Sequence, residues 1–159
     1  QVQAFHGVPG DDRLGLLETV TPHFARKGDA GIRPATEAEI VQRLAGTAAA
    51  VPAAVRVCGH THTARALRLA DGTLVVNPGS VGRPAYAHDL PHRHLVEAGS
   101  PHARWALLER GPQGWQAVLR QTPYDWAAAA RQASTVRAAW AQDWAHELLT
   151  GRTRPGVFG

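Results

Sequence analysis

Two imidazoles stand one residue apart in Cys58-Gly59-His60-Thr61-His62-Thr63, behind a glycine and at the end of an apolar run. Neutral imidazole is a ligand for zinc, manganese, iron and other divalent ions, so the pair can form part of a metal site. In an extended backbone side chains alternate, which would point His60 and His62 to one side and Thr61 to the other. A third imidazole, His6, follows the strand-like Val2-Gln3-Ala4-Phe5 and precedes Gly7. Asn77 ends a further apolar run and opens Asn77-Pro78-Gly79-Ser80-Val81-Gly82. In layered α/β folds ligands bind beyond the carboxyl ends of strands, so these four side chains could meet. Three histidines with an open position would hold one ion and draw the pKa of its water from 15.7 toward about 7, which is hydrolytic chemistry.

Those side chains need strands and loops to carry them. Residues 2–5 read as a strand, running into a Gly/Pro/Asp loop at 7–12. Leu14–Val20 is a short apolar piece, and 27–34 a polar loop. Thr36 with Glu39 three residues on is a capping box, and Ile40, Val41, Leu44, Ala45 and Ala48 share one helical face to about Ala50. Pro52 closes that helix, and 54–58 is a buried strand delivering the histidine pair. Runs at 66–70 and 73–76 around Asp71-Gly72 make a hairpin, as do 104–109 and 115–121 around Gly111-Pro112-Gln113-Gly114. Residues 83–103, with Pro84, Pro91, Pro101 and four histidines, read as a long surface loop. From Tyr124 the pattern is helical: Trp126, Ala130, Ala133, Val136, Trp140, Trp144 and Leu148 form a stripe that would pack on a sheet. The expected organisation is one domain over 1–150 and a disordered tail over 151–159.

The other histidines carry less. His23, His88, His92, His94 and His102 lie in segments with no periodicity to fix a geometry and read as solvent-facing. His146-Glu147 is followed by Leu148-Leu149-Thr150, which is not the two-histidine zinc helix of metalloproteases.

Composition sets the outer limits. With 44% apolar residues among 159, a core of ordinary density is within reach. The formal charge of +4 comes from sixteen Arg and one Lys against thirteen acids, and the pI is near 10.2. Anionic ligands suit that balance, but the arginines are scattered and not interleaved with aromatics, which argues against a nucleic-acid groove. Cys58 is the lone cysteine, so no disulfide forms within one chain and a reducing, cytoplasmic setting is expected. No run approaches the ~20 apolar residues of a membrane helix. The chain has no methionine and opens directly on a strand, so the reading expects it to begin inside a larger fold.

Gly59-His60-Thr61-His62, followed after a hairpin by Asn77-Pro78-Gly79-Ser80-Val81-Gly82, resembles the last part of calcineurin-like metallophosphoesterases. His6-Gly7-Val8-Pro9 with Asp11-Asp12 is similar to the segment upstream of it, and the likeness runs from about residue 3 to Asp125. It is nearest to the small bacterial branch of phosphodiesterases and diadenosine tetraphosphatase-like proteins, in which Arg104-Trp105-Ala106-Leu107-Leu108-Glu109 and Pro123-Tyr124-Asp125 also find counterparts. The resemblance implies a layered α/β fold, a β-sandwich flanked by helices, of which this chain is the second half. It implies a centre of two divalent transition-metal ions (Mn, Fe, Zn or Ni), with His6 and His60 on one ion and His62 on the other. Asn77, Gly79 and Ser80, with Pro78, would shape the loop behind the site, and Arg65 or Arg83 would meet phosphate. The implied reaction is hydrolysis of a phosphomonoester or phosphodiester, nucleotide-derived esters among them, by a metal-activated hydroxide, with His60 and His62 as the catalytic pair.

Members of that family begin with Asp-x-His, Gly-Asp and Gly-Asn-His motifs upstream of the segment that His6 resembles, and none of these stands ahead of His6 in this sequence. The expected source of the absent carboxylates is a preceding segment, a partner chain or a second copy. The rival expectations are a scaffold or binding protein with an incomplete site, and a mononuclear zinc protein held by His6, His60 and His62.

Overall fold

The computed structural model describes residues 1–25, 28–45 and 52–158. In chain order the elements are β1 (Val2–Ala4), β2 (Glu18–Val20), β3 (Ile32–Pro34), α1 (Glu37–Ala45), β4 (Val55–Val57), β5 (Arg65–Arg68) and β6 (Leu74–Asn77). There follow β7 (Ala85–His88), β8 (His94–Glu97), β9 (Ala103–Gly111), β10 (Gly114–Thr122), α2 (Trp126–Ser134) and α3 (Ala141–Thr150). The fold is mixed α/β. Contacts divide it into two compact units, a finer partition than the single domain read from the sequence: residues 1–19, 34–79 and 104–120 form the first, and 20–33, 80–103 and 121–159 the second.

The first unit is built on a four-stranded sheet of order β1-β4-β6-β5. β1, β4 and β6 run parallel, with Val2, Val55 and Leu74 in register, and β5 closes the edge antiparallel to β6. Alternation along the strands gives the sheet two apolar faces. Val55, Leu74 and Val76 pack with Val57 and Ala66 against Ala106, Leu108, Trp115 and Ala117 of the β9–β10 hairpin. Val75 and Cys58 turn the other way, into a cluster with Leu16, Leu17, Ile40 and Leu69. Helix, sheet and hairpin thus form three layers. The capping box at the start of α1 is present, with Thr36 N–H donating to Glu39 Oε2 at 2.7 Å and Glu39 N–H to Thr36 Oγ1 at 3.3 Å. The stretch 46–51, over which the sequence extends this helix, lies outside the described residues.

The second unit departs from the sequence reading at several points: β3 occupies the end of the stretch expected to be a polar loop, and His94, expected to face solvent, is buried. Residues 83–103 contain a hairpin, β7 with β8, in which Ala85 faces Glu97 and His88 faces His94. Its prolines sit before β7, in the turn and after β8, so they punctuate the strands without interrupting them. The apolar stripe from Trp126 is also cut. Ser134 and Thr135 turn their hydroxyls onto the carbonyls of Arg131 and Gln132, at 2.7 and 2.8 Å, and α2 ends there. The two helices pack on each other through Ala130, Ala133, Ala145 and Leu148. Val136 and Trp140, in the break, are exposed. Beyond α3, Gly151 takes the left-handed cap position. Thr153, in the stretch expected to be a disordered tail, donates its N–H and hydroxyl to Glu97 Oε1 at 2.9 and 2.6 Å.

Candidate metal centre

The three parallel strands of the first unit deliver their following loops to one edge of the sheet. Phe5 N–H donates to Val57 O and Cys58 N–H to Val76 O, so pairing continues past the strand ends. Gly59 N–H then donates to His6 O at 2.7 Å. That contact brings His6 beside His60: His6 Nε2 and His60 Nδ1 are 3.4 Å apart, and the rings meet edge to face with centroids at 5.3 Å.

The backbone carrying the pair is not extended. His60 and His62 have φ of 65° and 56°, in the left-handed region that non-glycine residues seldom occupy. The alternation expected of a strand therefore does not apply here, because β4 ends at Val57. Thr61 still points inward and is buried, while the two histidines are half-buried. The inward contact is specific. Thr61 Oγ1 donates to Glu18 Oε2 and accepts from Asn77 Nδ2, the latter at 3.0 Å.

Asn77, fully buried, makes two further bonds: its Nδ2 donates to Gly59 O at 2.9 Å and its Oδ1 accepts from Gly79 N–H at 3.0 Å. It therefore stands behind the histidine loop. Gly79 has φ 90°, and a Cβ there would lie 2.8 Å from Arg104 Cβ, so a glycine is required on both counts. Ser80 belongs to the second unit, where its Oγ accepts from Arg83 N–H at 3.0 Å.

The arginines are engaged in other ways. Arg65 Nη1 donates to Leu17 O at 2.6 Å, and its guanidinium reaches Ala35 O at 3.3–3.4 Å, within the first unit. Arg83 Nε lies 3.4 Å from Glu147 Oε2 in the second. Glu147 is buried, and that burial, only partly offset by Arg83, pushes its carboxyl up to about 7.

Three local acids and one thiol complete the electrostatics. Glu18 is 6% exposed; burial raises its pKa, against the Thr61 hydrogen bond and the charges of Arg65 and Arg43. Asp11 goes the other way, held low first by the N–H and guanidinium of Arg13, with His60 a smaller contributor. Asp71 is lowered by the N–H of Thr73, as a turn residue should be. Burial pushes the Cys58 thiol up to about 12, so it stays protonated and unreactive.

Two imidazole nitrogens on one tetrahedral ion stand about 3.3–3.4 Å apart, given metal–nitrogen bonds of about 2.0–2.1 Å. The His6–His60 separation of 3.4 Å fits that spacing. Among the described residues, however, no group of three or more His, Cys, Asp or Glu side chains is arranged to hold an ion. The structure joins His6 with His60 and does not gather His62 into a three-ligand group with them.

The sheet, the strand-end histidines and the Asn-Pro-Gly-Ser turn behind them define a phosphoesterase-type α/β scaffold. The chain belongs to the calcineurin-like phosphoesterase superfamily, whose domain model matches residues 17–97, just over half of its length. The matched segment includes Glu18, His60, His62 and Asn77; His6 lies before it. Comparison with curated proteins finds no match. Proteins of this superfamily are in general metal-dependent phosphoester hydrolases. No helix among the described residues is long and apolar enough to cross a membrane.

Glu18 and Thr61 are the site residues that sequence reasoning passed over. Thr61 was legible in principle, as the residue enclosed by the two histidines. Glu18 carries no local signal, because its partner lies 43 residues away.

Proposed function

We propose that this chain supplies the histidine side of a phosphoesterase metal centre and takes part in hydrolysis of a phosphomonoester or phosphodiester, with a nucleotide-derived substrate as in the diadenosine tetraphosphatase-like branch. The observation that carries the reading is the His6–His60 contact at 3.4 Å, made beyond the carboxyl ends of adjacent parallel strands in a chain of this superfamily. His6 Nε2 and His60 Nδ1 would act as ligands, His62 would serve a second ion, and the remaining donors would come from outside the described residues. A divalent ion bound there, Mn, Fe, Zn or Ni, would supply Lewis acidity and lower the pKa of its water. Asn77 holds the loop from behind, and Gly79 lets the chain turn past Arg104 without a clash. Arg65, committed to carbonyls of its own unit, is better read as a clamp on residues 17 and 35 than as a phosphate contact. The buried, protonated Cys58 suits a reducing cytoplasmic setting.

A second reading, a binding or scaffold protein with an incomplete site, draws on the lack of a third donor beside His6 and His60 among the described residues. The two separate on one preparation. Metal per chain is measured by elemental analysis, and Mn2+-stimulated hydrolysis is assayed on p-nitrophenyl phosphate and bis(p-nitrophenyl) phosphate. The phosphoesterase reading expects bound metal and turnover of one ester, with both lost by about 100-fold or more in His60→Ala. Absence of both in the native chain would leave the scaffold reading.

A further inference from the structure

We propose that Glu18 is a positioning residue for His60 and His62, acting through the hydroxyl of Thr61. The proposal deepens the metal-centre reading above, since positioning matters only if the imidazoles act as ligands.

The first observation is strain. Two non-glycine residues with left-handed φ, 65° and 56°, flank Thr61. Each such residue carries a steric penalty and persists only where its surroundings over-determine it. Asn-Gly or Gly-rich sequence would relieve that cost, yet this turn is spelled His-Thr-His. Something must hold it.

The second is the direction of the hydrogen bonds. Asn77 has a fixed orientation, because Gly79 N–H requires its carbonyl oxygen and Gly59 O requires its amide. Its Nδ2 therefore donates to Thr61 Oγ1, and the single hydroxyl proton of Thr61 is left for Glu18 Oε2. Removing the carboxyl would leave that proton without its acceptor in a buried site, at a cost comparable to a lost hydrogen bond.

The third is that Glu18 is itself immobilised. Arg43 Nη1 donates to the carbonyls of Gly15, Leu16 and Glu18, at 3.1, 2.9 and 3.0 Å, and Arg65 Nη1 to Leu17 O at 2.6 Å. Two guanidiniums thus clamp four consecutive carbonyls. The same segment lies against the loop it supports: a Cβ on Gly15 would be 2.5 Å from Thr61 Cγ2 and 3.7 Å from His60 Cδ2. A buried carboxylate is costly, and Glu18 Oε1 has no hydrogen-bond partner. A merely structural residue at this position would be better served by an apolar side chain. The geometry points to a carboxyl retained for the Thr61 contact.

The test uses the full chain with Glu18→Ala, Glu18→Gln, Thr61→Val and Thr61→Ser. Two readouts are taken beside the melting temperature: the imidazole resonances of His6, His60 and His62 by long-range 1H–15N NMR, and the affinity for Co2+ by optical titration. Glu18→Ala and Thr61→Val are expected to shift the His60 and His62 ring resonances and weaken Co2+ binding by about 10-fold or more. Glu18→Gln and Thr61→Ser, which keep an acceptor and a hydroxyl, are expected to stay within about 3-fold of native. A fall in melting temperature in Glu18→Ala and Thr61→Val with unchanged resonances and Co2+ affinity would reduce Glu18 to a structural residue and overturn the proposal. If Glu18→Ala does not fold, the near-isosteric Thr61→Val decides by the same criteria. A native chain that binds no Co2+ would sink the metal-centre reading, while the ring resonances would still judge the positioning claim on their own.

Discussion

Each compact unit buries one glutamate, and the two are handled differently. In the first, Glu18 receives a hydroxyl from Thr61 and is bound into a network with Asn77 that ends at the backbone of Gly59 and Gly79. In the second, Glu147 on α3 faces Arg83 across 3.4 Å, a long ion pair, and its Oε2 has no hydrogen bond. Burial raises both carboxyls. The contrast teaches that the same desolvation penalty can be set against geometry or against charge. One neutral donor, the Thr61 hydroxyl, gives Glu18 a direction in addition to the charges of Arg65 and Arg43, and direction is what a loop with two left-handed histidines requires. A guanidinium gives Glu147 attraction with little direction, which is enough to hold a helix against a loop.

The largest expected effect is at the shared member of the first network. Asn77→Ala removes three hydrogen bonds from a fully buried position. It should cost about 3–4 kcal/mol in urea unfolding, because the Gly59 carbonyl, the Gly79 N–H and the Thr61 hydroxyl lose partners. A cost below about 1 kcal/mol would show that the network is dispensable and would erase the contrast.

Glu147→Gln comes next and has a sign fixed by linkage. The carboxyl sits at about 7 in the folded chain against an ordinary 4.5. The folded state therefore binds more protons between those values, and stability contributed by the neutral acid is lost as pH rises toward and through 7. The amide should flatten that fall and raise stability by about 2 kcal/mol at pH 8, with little change at pH 4. Thermal melts of both chains across pH 4–8 check it. Parallel curves would mean that Arg83 compensates Glu147 fully, making it an ordinary ion pair.

The smallest effect compares the helix starts of the two units. Thr36→Ala breaks the capping box of α1, and Asp125→Ala removes the acceptor that takes Ala128 N–H at 2.8 Å at the start of α2. Each should cost about 1 kcal/mol by chemical denaturation. A much larger loss at either would mean that the cap also anchors tertiary contacts.

The capping box, both Gly-containing hairpins and the strand ahead of Gly59-His60 were legible in the sequence, since each depends on turn chemistry or periodicity within a few residues. So were His60, His62 and Asn77 as candidates, because a strand followed by a polar, glycine-bearing loop is a local pattern. The β7–β8 hairpin was not, as strands of four residues among three prolines leave too few alternations to count. Nor was the break between α2 and α3, where a stripe at helical spacing runs on through Val136 and Trp140 although hydroxyls of Ser134 and Thr135 end the helix.

What the sequence determined by itself is which side chains stand at the ends of strands, for that is fixed by local alternation and turn preference. Only the tertiary structure decided which of them meet. Parallel pairing of β1 with β4 brings His6 to His60 across 54 residues, and the clamp of Arg43 and Arg65 carries Glu18 under Thr61. The reason is physical: contacts between distant segments are selected by the burial and hydrogen bonding of the whole core after loop closure, and no local pattern records that selection.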